Sequence, residues 1–264
     1  MEWWLGYAAI GAAVGFFAGL LGIGGGATMV PLLVMLLEAQ GLPKAQIMHL
    51  AVGTGMASIL FTSLSSMRAH AMRGIVRWDL AWALTPGILV GGLLGSLITT
   101  WVSTQMFAAM FTAVVFLAAT NILLDRRPKP SRQLPGMLGS ALVGFVISFV
   151  SALAAMGGAF LTIPFALYCN VPLLQAIGTA AIIGFPIALA GSIGFVVAGW
   201  GQSGLPPYSI GYVYLPALFG IALASVLTAP LGAAAAHRLP TRRLKQIFAV
   251  LLYALAARMM ISLW

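Results

Sequence analysis

Two glycine runs are the first places in this sequence where the backbone itself could do chemistry. Gly22-Ile23-Gly24-Gly25-Gly26-Ala27 forms one, and Gly157-Gly158-Ala159-Phe160 the other. Consecutive glycines let neighbouring N–H groups converge, and a helix starting there aims its positive end at the same point. Such a cradle binds an anion without a charged side chain. The alternative is a tight turn that binds nothing. The first run also fits the G-x-G-x-x-G/A dinucleotide fingerprint. A long apolar stretch precedes it where a strand is required, however, and no acidic residue stands about 20 positions on. No Gly-Lys-Ser/Thr follows, so it is not a Walker A loop.

Hydroxyls come next. Thr54 follows Gly53 and Thr179 follows Gly178. A hydroxyl can ligate an oxyanion, and its appearance twice in one setting points to function. The candidate binding set is therefore Gly24, Gly25, Gly26, Ala27, Thr54, Gly157, Gly158 and Thr179. Ser58, Thr62, Ser63, Ser65 and Ser66 are expected to bond back to their own helix carbonyls. His49 leaves two readings, proton coupling and an interfacial histidine, of which the second is preferred. A side chain at Gly25 or Gly158 is expected to exclude the anion and leave the fold intact.

Other chemistries lack their residues. Glu2, Glu38, Asp79 and Asp125 all stand at segment ends. That argues against a carboxylate proton relay, a cation site and an aspartyl intramembrane protease. Ala190-Gly191-Ser192-Ile193-Gly194 matches a serine-hydrolase elbow only loosely, with no histidine in its segment. Cys169 is the one cysteine, and His49, His70 and His237 share no ligand spacing. Neither an enzyme nor a metal or other cofactor is expected.

The elements that must position these residues are apolar almost end to end. Of 264 residues, 61% are hydrophobic and 6% charged, far short of the roughly 25% charge of a soluble domain. Ten apolar segments follow one another: 3–21, 23–37, 47–67, 80–101, 107–124, 134–155, 157–168, 173–200, 210–236 and 244–264. Backbone in lipid must bond within its own segment, so these are expected to be helices. Strict two-residue alternation, the mark of a membrane barrel, is absent. Segments 23–37 and 157–168 span about 22 and 18 Å as helices, short of a bilayer core of about 30 Å. Each carries a proline, Pro31 or Pro164, and each follows one of the glycine runs. They read as broken or re-entrant elements. Gly11-xxx-Gly15-xxx-Gly19 and Gly87-xxx-Gly91-xxx-Gly95 read as close helix-packing faces.

The halves align in order. Gly24-Gly25 falls opposite Gly157-Gly158, Pro31 opposite Pro164, Val52-Gly53-Thr54 opposite Ile177-Gly178-Thr179, and Pro86 opposite Pro216. The fold class is an all-α polytopic membrane protein of two inverted repeats with about five helical segments each. Residues 1–125 form the first repeat, 126–135 a basic linker and 136–264 the second repeat. Inversion follows from charge. Arg68, Arg73 and Arg77 follow the third segment of half one, whereas the matching loop of half two, Gly201–Ser209, has no charge. Arg238, Arg242, Arg243 and Lys245 occupy the next loop instead. With basic loops and linker cytoplasmic, eleven of the 13 basic residues lie inside. Lys44 is then outside, Arg258 is left to snorkel, and both termini are outside. The net charge of +9 is thus topological, and no nucleic-acid partner is expected. Met1-Glu2-Trp3-Trp4 has no basic n-region, so no cleaved signal peptide is expected.

The run Gly15-Phe16-Phe17-Ala18-Gly19-Leu20-Leu21-Gly22-Ile23-Gly24-Gly25-Gly26, followed by Pro31-Leu32-Leu33, resembles the signature of the TauE/SafE sulfite exporter family. The second copy around Gly157-Gly158 and Pro164, and Gly53-Thr54 in the next helix, are also similar. The resemblance spans essentially the whole chain. It implies a bacterial or archaeal inner-membrane carrier that exports sulfite, a sulfonate or a related organosulfur anion. Half two departs from the pattern with Ala154-Ala155-Met156 ahead of its glycines, so the two tips are expected to contribute unequally. An anion channel and a proton-coupled importer of organosulfonates are the alternatives. The partners implied are the anion and the bilayer. Coupling ion and oligomeric state carry no sequence signal.

Overall fold

In the computed structural model, which describes residues 2–21, 25–72, 74–124, 131–236 and 241–263, helices account for most of the described chain. They are α1 (Glu2–Leu21), α2 (Gly26–Ala39), α3 (Lys44–Met72), α4 (Trp78–Leu97), α5 (Thr104–Leu124), α6 (Met137–Ala154), α7 (Ala159–Tyr168), α8 (Leu173–Ala198), α9 (Leu215–Ala236) and α10 (Thr241–Leu263). A 3-10 turn, Ile98–Trp101, extends α4. Six of these elements, namely α3, α4 with its turn, α5, α6, α8 and α10, are long and apolar enough to cross a membrane. Outward-facing residues such as Leu117, Leu138, Leu223 and Ile261 are exposed and apolar, a surface suited to lipid. Trp101 and Trp200 are exposed near helix ends, and Tyr208 in the loop before the hairpin, where amphipathic rings suit a membrane interface.

A helix runs through each of the ten apolar segments, and one segment opens differently. The run starting at Ile210 opens as a small antiparallel hairpin, β1 (Ser209–Ile210) with β2 (Val213–Tyr214), in which Ser209 pairs with Tyr214 and Ile210 with Val213. Gly211 turns it with a φ of 55°, a conformation that ends a helix and suits glycine. Helix α9 starts only at Leu215.

Packing runs between the halves. Helix α1 lies along α9, α4 along α6, and α5 along α10. The small-residue faces make this possible, as expected. A side chain at Gly11 or Gly15 would overlap the backbone of Ile221 or Ser225, and one at Gly87 or Gly91 the backbone of Ala141 or Phe145. Helices α3 and α8 are the inner pair. Gly53, Met56 and Ser63 of α3 meet Phe195, Gly191 and Gly184 of α8 in that order, so the two run antiparallel. Every residue from 51 to 59 is buried. The two short helices, α2 of 14 residues and α7 of 10, extend about 21 and 15 Å, less than the bilayer core.

Candidate functional site at the two chain breaks

At the break before α2 the two described glycines, Gly25 and Gly26, are closely packed. Gly24 lies outside the described residues. Gly25 caps α2 with φ −75° and ψ −4°, and its carbonyl accepts the N–H groups of Thr28 and Met29. The Thr28 hydroxyl donates to the same carbonyl at 2.9 Å. A Cβ on Gly25 would overlap a Val14 methyl of α1, and one on Gly26 would overlap the Ala155 carbonyl oxygen of the other break. Ala27 is buried. The two breaks therefore touch.

The break before α7 is built differently. Helix α6 ends on Ala155, which takes a left-handed conformation, φ 47° and ψ 43°. The N–H groups of Ala155 and Met156 both return to the Ser151 carbonyl. Gly158 then caps α7 with φ 74° and no side-chain cap. Its carbonyl takes the N–H groups of Leu161 and Thr162 and the Thr162 hydroxyl. The N–H groups of Gly158, Ala159 and Phe160 have no acceptor among the described residues, as the first turn of a helix requires unless something caps it. A Cβ on Gly157 would meet no heavy atom within 4 Å. Gly184 of α8 and Ser63 of α3 lie near the Gly157 backbone. A Cβ on Gly184 would lie 3.5 Å from the Gly157 oxygen and 3.8 Å from the Ser63 Cβ. Val at Gly25 or Gly158 is accordingly not neutral to the fold, since the first meets Val14 and the second is strained by its φ.

Thr54 and Thr179 are fully buried and stand apart. The Thr54 hydroxyl accepts the Tyr214 N–H at 3.0 Å, at the entry to α9. The Thr179 hydroxyl accepts the Arg77 N–H at 3.0 Å, at the entry to α4. Each thus satisfies a donor that no helix carbonyl can reach, and each does so in the other half. Thr179 and Phe195, the α8 residue beside Gly53, are about 24 Å apart along α8. The Thr54 neighbour Gly55 nonetheless borders the breaks, with a Cβ that would lie 3.0 Å from that of Ala155.

His49 is buried among other residues, 5% exposed, near the start of α3. Its Nε2 donates to the Thr99 carbonyl at 2.9 Å, which places the ring hydrogen there. The ring packs against Phe107 and Tyr212 at centroid distances of 5.1 and 4.9 Å, and Nδ1 has no partner. The serine-rich face of α3 divides. Thr62 and Ser63 bond back to the carbonyls of Ile59 and Leu60 as expected, whereas the buried Ser58 hydroxyl has no partner. Ser148 and Ser151 of α6 are unpartnered as well. Sequence reasoning missed this pair, because a serine bonded to its own helix and one left open read alike.

Comparison with known proteins gives a consistent result. The family model described as sulfite exporter TauE/SafE matches residues 7–259. A protein named "Probable membrane transporter protein" from Haemophilus influenzae is 36% identical over 254 residues, 96% of this chain and 96% of its own. Relatives with the same style of name occur in Bacillus subtilis, 23% identical over 71% of this chain and 76% of theirs, and in Methanocaldococcus jannaschii, 24% identical over 84% and 82%. No solved structure matches the chain.

Proposed function

The chain belongs to the TauE/SafE sulfite exporter family of membrane transporters, and from that premise we propose that it carries a small sulfur-containing anion, sulfite or an organosulfonate, outward across the plasma membrane. The observation that carries this reading is the meeting of the two breaks. Gly26 lies against the Ala155 carbonyl, and just beyond it α7 presents uncapped N–H groups beside the open space at Gly157. An anion there receives backbone hydrogen bonds and the positive end of a helix dipole. A close cage is needed, because a desolvated charge without partners is costly. Gly157 and Gly158 hold the ligand in this reading. Gly25, Gly26 and Ala27 form the opposing wall, and Thr54 and Thr179 fix the helices around it.

The transport cycle we infer is alternating access by two inverted repeats. The paired threonine locks support it, since one bond joins α3 to the start of α9 and its counterpart joins α8 to the start of α4. An inverted duplication puts such counterparts at opposite ends of the inner pair. The N–H groups of Ser131 and Arg132 end on the Tyr168 carbonyl, at the same end of α8 as Arg77. That agrees with a cytoplasmic linker and cytoplasmic basic loops, and leaves the termini outside. An inside-negative potential drives an anion out by about 2.3 kcal/mol per charge per 100 mV, so export needs no coupling carboxylate.

Purified protein in liposomes tests this with a panel of sulfite, thiosulfate, taurine, methanesulfonate and sulfate. Saturable flux of at least one of the sulfur anions, with counterflow and a response to clamped voltage, is the expected result. Flux that never saturates and shows no counterflow would make the protein a channel. The unpartnered Nδ1 of the buried His49 favours one second reading, proton-coupled import. It gains if flux follows a pH gradient and ignores voltage.

A further inference from the structure

Helix hydroxyls in this protein have a default, and one residue beside the α7 terminus departs from it. Thr62, Ser63, Ser96, Thr162, Ser192 and Ser225 all donate to a carbonyl three or four residues earlier in the chain. Ser151, one turn from the end of α6, does not. It is 0% exposed and its Oγ has no partner. A buried hydroxyl left open is normally selected against. Its carbonyl accepts the Met156 N–H that starts the chain reversal, so the residue sits at the root of the second break. Its Oγ would lie 3.5 Å from a Cβ on Gly158, the cap of the ten-residue α7.

We propose that Ser151 is a substrate-binding residue, whose hydroxyl donates to an oxygen of the same sulfur oxyanion that the uncapped N–H groups of α7 receive. The assignment rests on the reading of α7 as the anion site. It adds a side-chain donor to a cage otherwise made of backbone, and it explains why the hydroxyl is held away from its own helix. No titratable side chain is required. The ligand recognised is an anion with at least two oxygen acceptors on one face, as a sulfite or sulfonate group has. One accepts from Ser151 and the other from the helix terminus. Ile147 and Ile187 also crowd Gly158 and give the cage an apolar wall, which suits the non-oxygen face of such a group.

Ser148 is the internal comparison. It is on the same helix, fully buried and equally unpartnered, but its Oγ faces α4, 2.7 Å from where a Cβ on Gly92 would stand. The test is calorimetric titration of purified protein with sulfite, thiosulfate and methanesulfonate, alongside thermal unfolding. Ser151→Ala should weaken binding tenfold or more and leave the unfolding temperature unchanged or raised, because the change removes an unpaired polar group from the interior. Ser151→Cys, which keeps the size and weakens the donor, should fall between parent and Ser151→Ala. Ser148→Ala should bind like the parent. Parent-like affinity in Ser151→Ala, or a lowered unfolding temperature with affinity unchanged, overturns the assignment and marks a structural serine. Gly157→Val separates the two levels. If Gly157→Val abolishes binding while Ser151→Ala does not, the α7 site stands and Ser151 is no part of it. If the parent binds none of the three anions, or both variants bind like it, the site reading fails and the assignment falls with it.

Discussion

The two chain breaks share a glycine pattern and use it for different reasons. At the first, Gly26 is there because the other break's backbone is too close for any Cβ. At the second, Gly158 is there because its φ of 74° disfavours other residues, and Gly157 faces open space. The short helices that follow are also fastened differently. The far end of α2 is tied by side chains: Tyr7 bonds with Gln40, and Ser262 donates to Glu38. The far end of α7 is tied by two main-chain N–H groups of the linker, those of Ser131 and Arg132. The sequence suggested that the two tips contribute unequally, without saying which contributes more. In the proposed site Gly25 and Gly26, which are closely packed, form the wall, and the second break has the room at Gly157.

The sharpest way to break this contrast is to put the same side chain on both sides of it. Gly26→Val should be the largest effect. Backbone against backbone cannot yield as a flexible side chain can, so the cost should be about 3 kcal/mol or more, seen as loss of folded protein or a steep fall in unfolding temperature. A Gly26→Val variant with parental stability would show that the breaks do not meet as described.

Gly157→Val is the complementary change. With nothing within 4 Å of the new Cβ, stability should move by only about 0.5 kcal/mol. Sulfite flux in liposomes should nonetheless fall to background, because in the proposed site that space holds the ligand. Stable protein with normal flux would locate the anion elsewhere.

How far the sequence reveals this contrast depends on the kind of feature. The helices were readable, because apolar length and the bilayer's demand for internal hydrogen bonds leave few choices. So was the position of both breaks, from Pro31 and Pro164 after their glycines. The reason for each glycine was not, since close approach and positive φ call for the same residue. The threonines show the same limit. Gly53-Thr54 and Gly178-Thr179 are visible as a repeated pair, but their acceptors' partners, the N–H groups of Tyr214 and Arg77, lie 160 and 102 residues away. The hairpin at 209–214 escaped because two-residue strands leave no periodicity.

Thr54→Val and Thr179→Val probe whether the halves are equivalent where the breaks are not. Each leaves one N–H unpaired at a helix entry. Each should therefore lower stability by about 1–3 kcal/mol, measured by denaturant or thermal unfolding, with similar values for the two. A large difference between them would mean that the matching 3.0 Å bonds carry unequal loads. Weakened sulfite binding with stability intact would return the hydroxyls to the ligand.

The smallest expected effect lies at Ala155. Its φ of 47° is left-handed in a residue with a Cβ, a state disfavoured by about 1–2 kcal/mol. The aligned position of half one carries Gly22. Ala155→Gly removes that strain. Against it stands the greater freedom glycine gives the unfolded chain, about 0.4–1 kcal/mol, together with the loss of a Cβ that borders Gly55. The terms nearly cancel, and the strain relief is the larger. A stabilisation of about 0.5 kcal/mol should appear as a small rise in unfolding temperature. The consequence for the contrast is larger than the number. Ala155 holds the carbonyl on which Gly26 rests and begins the turn that delivers Gly157 and Gly158. If the stiff alanine is what sets that turn, Ala155→Gly should lower sulfite affinity while stability rises. If stability falls instead, the left-handed residue is not strained, and the second break owes its shape to its contacts rather than to its backbone.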